Sequence, residues 1–300
     1  MNLGRGFWRL GPQGPWPYLT SRADAGIVHT IMKAHDQVPS NFFREHPVFR
    51  VEEFHASRAG RSRLTTATVL KQHVRAGNLL HLRRGLYATV PPGADPHDYP
   101  VDPFLIAANH TEDAVIAYHA ALQFHGRVYS PWSRYQVLTA LRSNPWSWRG
   151  IEVVPTQVDR ETRGLSDLGG GIETLLHAGG RVRVSTFERT LVDLMDQPGK
   201  GGDWEEIWRS LEMVECFDLD EVVALALRIG AAITVARVGF FLDQHREELL
   251  VEEVHLAALA ERIPRGPTYL DARRAPGRLV PRWNLVVPES LLHRTWEEPE

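Results

Sequence analysis

Cysteine and lysine are nearly missing from this 300-residue chain, and so is any long apolar run. The single cysteine, Cys216, excludes an intramolecular disulfide and any cysteine-based zinc site, which points to a reducing compartment. Cys216 has no histidine close by in sequence and sits in an apparently helical run, so it reads as a small core residue rather than a nucleophile. Lysine occurs only at 33, 71 and 200, and arginine carries the rest of the positive charge. No stretch approaches the ~18 apolar residues of a membrane span. The first thirty residues hold Gly, Pro and Trp where a signal peptide needs an apolar block. A cytoplasmic protein without a membrane partner is the expectation.

Acidic residues vanish from one segment. The chain as a whole is at −3, with 43% hydrophobic and 24% charged residues, an ordinary globular composition long enough for two domains. Between Phe54 and Ala94, however, stand Arg58, Arg61, Arg63, Lys71, Arg75, Arg83 and Arg84 with no Asp or Glu, leaving the remainder at −10. A solvated helix face usually mixes both signs, so a one-signed block of this length argues for a polyanionic partner.

Patterning inside that segment sets its expected structure. Residues 1–39 are punctuated by Gly and Pro without period and read as a weakly structured extension; the recognisable pattern begins after Met32, a candidate start. From Ser40 a short helix, an extended piece and a helix near 51–58 are expected, followed by a turn containing Gly60. Over 64–76, helical spacing puts Leu64, Ala67, Leu70 and Val74 on a core-facing stripe and leaves Thr65, Thr68, Val69, Gln72 and Arg75 outward. Thr65 is the candidate cap at its start, and Gly77 a left-handed stop. Leu79–Val90 alternates around an Arg84-Gly85 turn and reads as a hairpin.

Helix, turn, amphipathic helix and basic hairpin compose a winged helix-turn-helix over residues 40–95. Such a unit lays one helix in the major groove of duplex DNA and sets the hairpin on the backbone. The candidate DNA-binding residues are Arg61, Arg63, Thr65, Thr66, Thr68, Val69, Gln72, Arg75, His81, Arg83 and Arg84. Gln72 can read adenine and Arg75 guanine or phosphate, while Thr and Val methyls can touch thymine.

Residues 96–300 read as a larger mixed body, making the fold class α+β. Asp102-Pro103 opens one helix, and a second is expected over Asp113–Gly126. Extended runs follow at Tyr135–Ala140, Ile151–Val158, Ile172–His177 and Arg181–Ser185. Ser185-Thr186-Phe187-Glu188 forms a capping box for a helix through Met195. Helices are expected at 203–215, 219–229 and 232–262, the last broken, then a strand at Arg282–Val287.

Nothing in this body assembles a nucleophile, a base and an orienting group, so no enzyme, catalytic residue, metal or cofactor is expected. His119 and His125 lie six apart, where a helical zinc pair wants four. Asp193 and Asp196 share a helical face that could hold a divalent ion, but pairing with Arg189 or solvation is the plainer reading. Gly169-Gly170-Gly171 lacks the Lys-Ser/Thr of a phosphate loop, and Ser166 lacks a nucleophile elbow. Arg273, Arg274, Arg278 and Arg282 form either a second anionic contact or a solvated loop, the latter being the plainer reading.

The motifs taken in order resemble one family. Arg84-Gly85-Leu86-Tyr87, then Ala117-Tyr118-His119-Ala120-Ala121-Leu122-Gln123-Phe124-His125-Gly126, Thr186-Phe187-Glu188-Arg189-Thr190-Leu191-Val192-Asp193-Leu194, Gly201-Gly202, Arg237-Val238-Gly239-Phe240-Phe241-Leu242 and Arg282-Trp283 are together similar to the AbiEi-type antitoxins, over about residues 40–290. The resemblance implies a transcriptional autorepressor of an abortive-infection operon, part of phage defence. Its winged helix would bind repeats in its own promoter, and its C-terminal half would neutralise a nucleotidyltransferase-like toxin. No short motif maps onto a toxin contact. The alternative is a stand-alone winged-helix regulator whose C-terminal domain senses a ligand, and a third hypothesis is a nucleic-acid enzyme using Asp193, Asp196 or the histidines.

Overall fold

A computed structural model describes residues 41–58, 60–158, 168–271 and 273–294. The extension at 1–39 and Ser166 lie outside the described residues. The chain divides into residues 1–43 and 44–300, and the second unit is a mixed α+β fold.

The basic segment forms helices followed by a hairpin. Strand β1 (Val48–Arg50) runs into helix α1 (Val51–Ala56), a turn, helix α2 (Arg63–Arg75), and strands β2 (Leu79–Arg83) and β3 (Leu86–Thr89). The strands form an antiparallel sheet in the order β1-β3-β2. Gly77 and Gly85 take φ +77° and +81°, left-handed values that let α2 stop and the hairpin turn without the strain a Cβ would bring. The cap of α2 is Ser62 rather than Thr65: its Oγ accepts from the Thr65 backbone N–H at 3.1 Å.

The body is built on a six-stranded mixed sheet. Helix α3 (Pro103–Ala108), capped by Asp102 Oδ1 accepting from Leu105 N at 2.9 Å, precedes β4 (Val115–Ile116), α4 (His119–Phe124) and β5 (Arg134–Thr139). Then come β6 (Trp146–Trp148), β7 (Ile151–Gln157), β8 (Ile172–His177) and β9 (Gly180–Ser185), giving the order β6-β7-β5-β4-β9-β8. Both sheet faces are apolar, and the period-2 alternation shows it. Val115 and Leu138 join one hydrophobic cluster, while their neighbours Ile116 and Val137 join another. This explains why the expected helix at Asp113–Gly126 starts only at His119. Val115 and Ile116 are β-branched and bridge β5 to β9, and Tyr118 turns the chain at φ +56°.

One sheet face is covered by a helical layer: α5 (Phe187–Asp196), α6 (Trp204–Glu212), α7 (Leu219–Ile229), α8 (Ala232–Gln244) and α9 (Glu253–Ala260). The cap of α5 is Thr186, whose Oγ1 accepts from Arg189 N at 3.3 Å. The Ser185 to Glu188 box does not form, because Glu188 instead accepts from Asp218 N at 3.1 Å. A small sheet of β10 (Thr268–Tyr269), β11 (Arg278–Val280) and β12 (Leu285–Val287) precedes α10 (Glu289–Leu292). The strand expected from Arg282 begins at Leu285, since Pro281–Trp283 is a single 3-10 turn and Asn284 is left-handed. Cys216 is exposed between α6 and α7, not buried, because α6 ends at Glu212.

The opposite face is covered jointly by α3 and the basic segment. Val48, Leu82, Leu86 and Ala88 lie in one cluster with Leu105, Ile106, Val137 and Val184. Residues 48–90 and the body therefore share a core.

Tight packing elsewhere gives a test. An ideal Cβ on Gly239 of α8 would fall 2.1 Å from the ring of Trp283, which is fully buried and donates from Nε1 to Asp243 Oδ2 at 3.1 Å. Gly239→Ala gains about 1 kcal/mol of helix propensity but must displace the indole at a cost of about 1–3 kcal/mol. A lower urea midpoint at unchanged slope is expected; a higher midpoint would show that α8 and Trp283 are not in this register.

Candidate nucleic-acid interface

Helix α2 presents a polar, positively charged face to solvent, but its phase differs from the one expected from helical spacing of the apolar residues. Leu70 is fully buried as expected, yet Leu64 is 79% exposed and Ala67 is exposed too. Their place in the interior is taken by Thr66, at 1% exposure, with Val69, His73 and Val74 half-buried beside it. Thr66 can be interior because its hydroxyl is satisfied there: Oγ1 donates to Ser62 O at 3.2 Å and lies 3.0 Å from His55 Nδ1. Thr66 is thus removed from the candidate DNA-binding set, and Val69 has only partial access.

What remains outward is consistent in chemistry. Leu64, Thr65, Thr68, Lys71, Gln72 and Arg75 line the exposed side of α2, with Arg61 and Arg63 at its start. Leu64 and Lys71 are the additions that the apolar-stripe argument missed; Lys71 was legible as a cation, whereas no signal marked Leu64 as outward. Thr68 Oγ1 donates to Leu64 O at 3.0 Å, and Thr65 Oγ1 lies 2.9 Å from Ser62 Oγ, so both hydroxyls are held in place with acceptor capacity remaining. On the hairpin His81 and Arg84 are exposed, and His81 packs on Tyr87 with ring centroids 5.2 Å apart.

Arg83 does something else. Its guanidinium donates to His110 O and lies over the Trp146 ring, 4.8 Å from the centroid. It hooks the hairpin to the body and is withdrawn from the outward set by half-burial. Arg58 is also half-buried, over Phe54 at 5.5 Å. Five of the seven cations, Arg61, Arg63, Lys71, Arg75 and Arg84, stay exposed.

The chain is similar in fold to solved structures. Its fold is similar to that of the Rv2827c protein from Mycobacterium tuberculosis. The TM-score is 0.54 at 20% identity, over 83% of this chain and 89% of that one, a likeness of fold alone. No protein-family model matches the sequence, and no curated protein matches it significantly. Among the described residues, no helix is long and apolar enough to cross a membrane.

The other singled-out residues are mostly internal. His119 stacks on Trp132 at 3.7 Å and meets Glu206 Oε1 at 3.1 Å, while His125 lies 3.0 Å from Ser185 O. The two histidines serve separate contacts. Arg189 Nε donates to Asp193 Oδ1 at 2.8 Å, and its Nη1 donates to Leu168 O and Gly170 O at 3.0 and 2.7 Å, closing the glycine turn. Asp193 is 6% exposed, so it is paired rather than solvated. Burial pushes its carboxyl up to about 6 against the opposing pull of Arg189. Asp196 is exposed and accepts from Thr234 Oγ1 at 2.7 Å. Arg273, Arg274 and Arg278 are exposed, and Arg282 pairs with Glu253.

The Arg83 hook carries a pH signature. His110 Nδ1 accepts from Trp146 Nε1 at 2.9 Å, and burial, aided by the positive Arg83, lowers its imidazole to about 4. An unfolded histidine titrates near 6.5. The unfolded chain therefore takes up the proton first, and the stability held above about pH 6.5 is lost as pH falls toward 4. Burial lowers His119 as well, adding in the same direction. His110→Gln should shrink the drop in urea midpoint between neutral and mildly acidic buffer; an unchanged drop would show that His110 does not titrate on unfolding in this window.

Proposed function

We propose that this chain is a DNA-binding antitoxin and transcriptional autorepressor of a toxin–antitoxin operon. In this reading residues 40–95 form a winged helix-turn-helix with α2 as its recognition helix and β2–β3 as its wing, and residues 96–300 are the effector half. The observation that carries it is the solvent-facing side of α2. Thr65, Thr68, Lys71, Gln72 and Arg75 stand there on a helix that carries no Asp or Glu, flanked by Arg61, Arg63 and Arg84. Donor-rich side chains on one helix match the major-groove edges of base pairs, and the flanking cations match phosphates. Leu64 at the outward start of the helix supplies an apolar group for a thymine methyl. The toxin partner, a nucleotidyltransferase-like protein, and the setting in phage defence come from the ordered motifs similar to AbiEi-type antitoxins.

The test uses the full chain, since residues 48–90 share a core with the body. In gel-shift titrations against a duplex from the gene's own upstream region, Gln72→Ala and Arg75→Ala should each weaken specific binding by ~1–3 kcal/mol. Arg84→Ala should weaken every duplex and reduce the salt slope by about one. Arg83→Ala should leave the salt slope unchanged, because its charge is spent on His110 and Trp146. Equal affinity across all four variants would remove the DNA reading. Co-expression with a neighbouring nucleotidyltransferase gene should restore growth, and failure to do so would remove the antitoxin half.

A further inference from the structure

A cavity of about 280 Å³ opens at the carboxyl ends of the parallel strands β5 and β7. Leu138, Thr156, Gln157 and Val158 form its sheet side, Asp193 and Asp196 its helix side, and Ile229 an apolar wall. Outside the carboxyl ends of parallel strands is where open α/β sheets place ligands. At about 30 Å³ per water-sized group there is room for a molecule of roughly ten non-hydrogen atoms.

Among the described residues, the charged groups lining the cavity are mostly acidic. Asp193 is more than nine-tenths buried, and among the described residues its Oδ2 has no hydrogen-bond partner although Oδ1 is held by Arg189. A buried carboxylate oxygen left without a donor is costly, so the arrangement calls for one. Asp196, one turn on, adds a second carboxylate with its Oδ1 taken by Thr234. Among the described residues the one cation lining the cavity, Arg189, has its Nε and Nη1 committed to Asp193 and to the carbonyls of residues 168 and 170. Arg237, close enough to feel the charge of Asp196, spends its donors on Leu270 O and Met195 O. Both carboxylates also sit in the last turn of α5, the negative end of the helix dipole. Tyr118, Thr156, Gln157 and Gln197 in the lining can each donate or accept, so what distinguishes the cavity is charge: two carboxylates against one guanidinium, next to apolar walls.

We propose that this cavity binds a small organic cation, an ammonium or guanidinium group on a short apolar body. The N–H donors reach Asp193 and Asp196, and the hydrocarbon part lies against Leu138, Val158 and Ile229. A metal ion is the weaker fit: among the described residues no group of three or more His, Cys, Asp or Glu gathers to hold one.

Isothermal titration and thermal melting of the full chain with butylammonium and butylguanidinium chloride test this, with 1-butanol, butyrate and magnesium chloride as matched controls. Saturable binding of a cation that raises the melting temperature, without response to butanol or butyrate, is the expected result. Asp196→Asn should weaken binding at least about tenfold while the free protein melts normally, and Ile229→Trp should abolish it by filling the space. Asp193→Asn should do as Asp196→Asn does, and if it fails to fold the other two variants decide. The proposal is overturned if neither cation binds, if butanol or butyrate binds equally, if Asp196→Asn or Ile229→Trp binds unchanged, or if magnesium displaces the cations. Gln72→Ala should keep cation binding intact, so failure here and failure of the DNA reading are separable.

Discussion

The body of this protein depends on a guanidinium taken out of water. Arg189 is 3% exposed, and burying an arginine is tolerable only when its N–H groups find acceptors. Asp193 supplies one, and the carbonyls of Leu168 and Gly170 supply others. The price is a triplet of glycines at positive φ, because a Cβ on Gly171 would fall 2.5 Å from the Arg189 side chain. Fixing Arg189 fixes where α5 ends relative to β5 and β7, and so fixes the cavity between them. Arg237 repeats the arrangement one layer out, joining Met195 O at the end of α5 to Leu270 O.

Arginine thus plays two parts that a count of charges cannot separate. Arg83 and Arg84 are adjacent in sequence and identical in type, yet in β2 and its turn the strand alternation sends one toward Trp146 and the other to solvent. The charge block between Phe54 and Ala94 was legible as a block. Which of its members is structural depends on His110 and Trp146, residues that lie far along the chain and come near only once the hairpin packs on the body.

The same distinction governs how much of the fold the sequence carried. Strands with strong alternation, such as Arg181–Ser185, and helices with clear caps, such as Leu219–Ile229 behind Asp218, were legible because local chemistry and tertiary packing agree there. The phase of α2 was not, because the apolar stripe is an incomplete description of a core face. A threonine whose hydroxyl is bonded to the preceding turn can occupy an interior position, and that rotates Leu64 outward. Residues 113–118 failed as a helix for a related reason: a two-residue strand in the middle of a six-stranded sheet is specified by its neighbours β5 and β9, not by its own span. Asp193 was legible as Arg189's partner from the spacing of four, but neither its depth nor its unpaired oxygen can be read without the sheet beneath it.

The rotation of α2 strengthens rather than weakens the case for a groove-binding face. Had the face been Leu64, Ala67, Leu70 and Val74 inward, the half-buried Val69 would have stood among the outward residues and Lys71 would have lain nearer the core. With Thr66, Leu70 and His73 turned in, the outward side gathers Lys71, Gln72 and Arg75 on consecutive turns with Thr65 and Thr68, and acidic side chains are absent from the whole helix. A helix that only covers a core has no need of a one-signed outer face, and self-repulsion of such a face is a cost to the folded state. That cost falls when a polyanion lies alongside, since the released counterions favour the complex. In the proposed reading, the groups this surface exposes and those it withdraws both serve contact with a duplex.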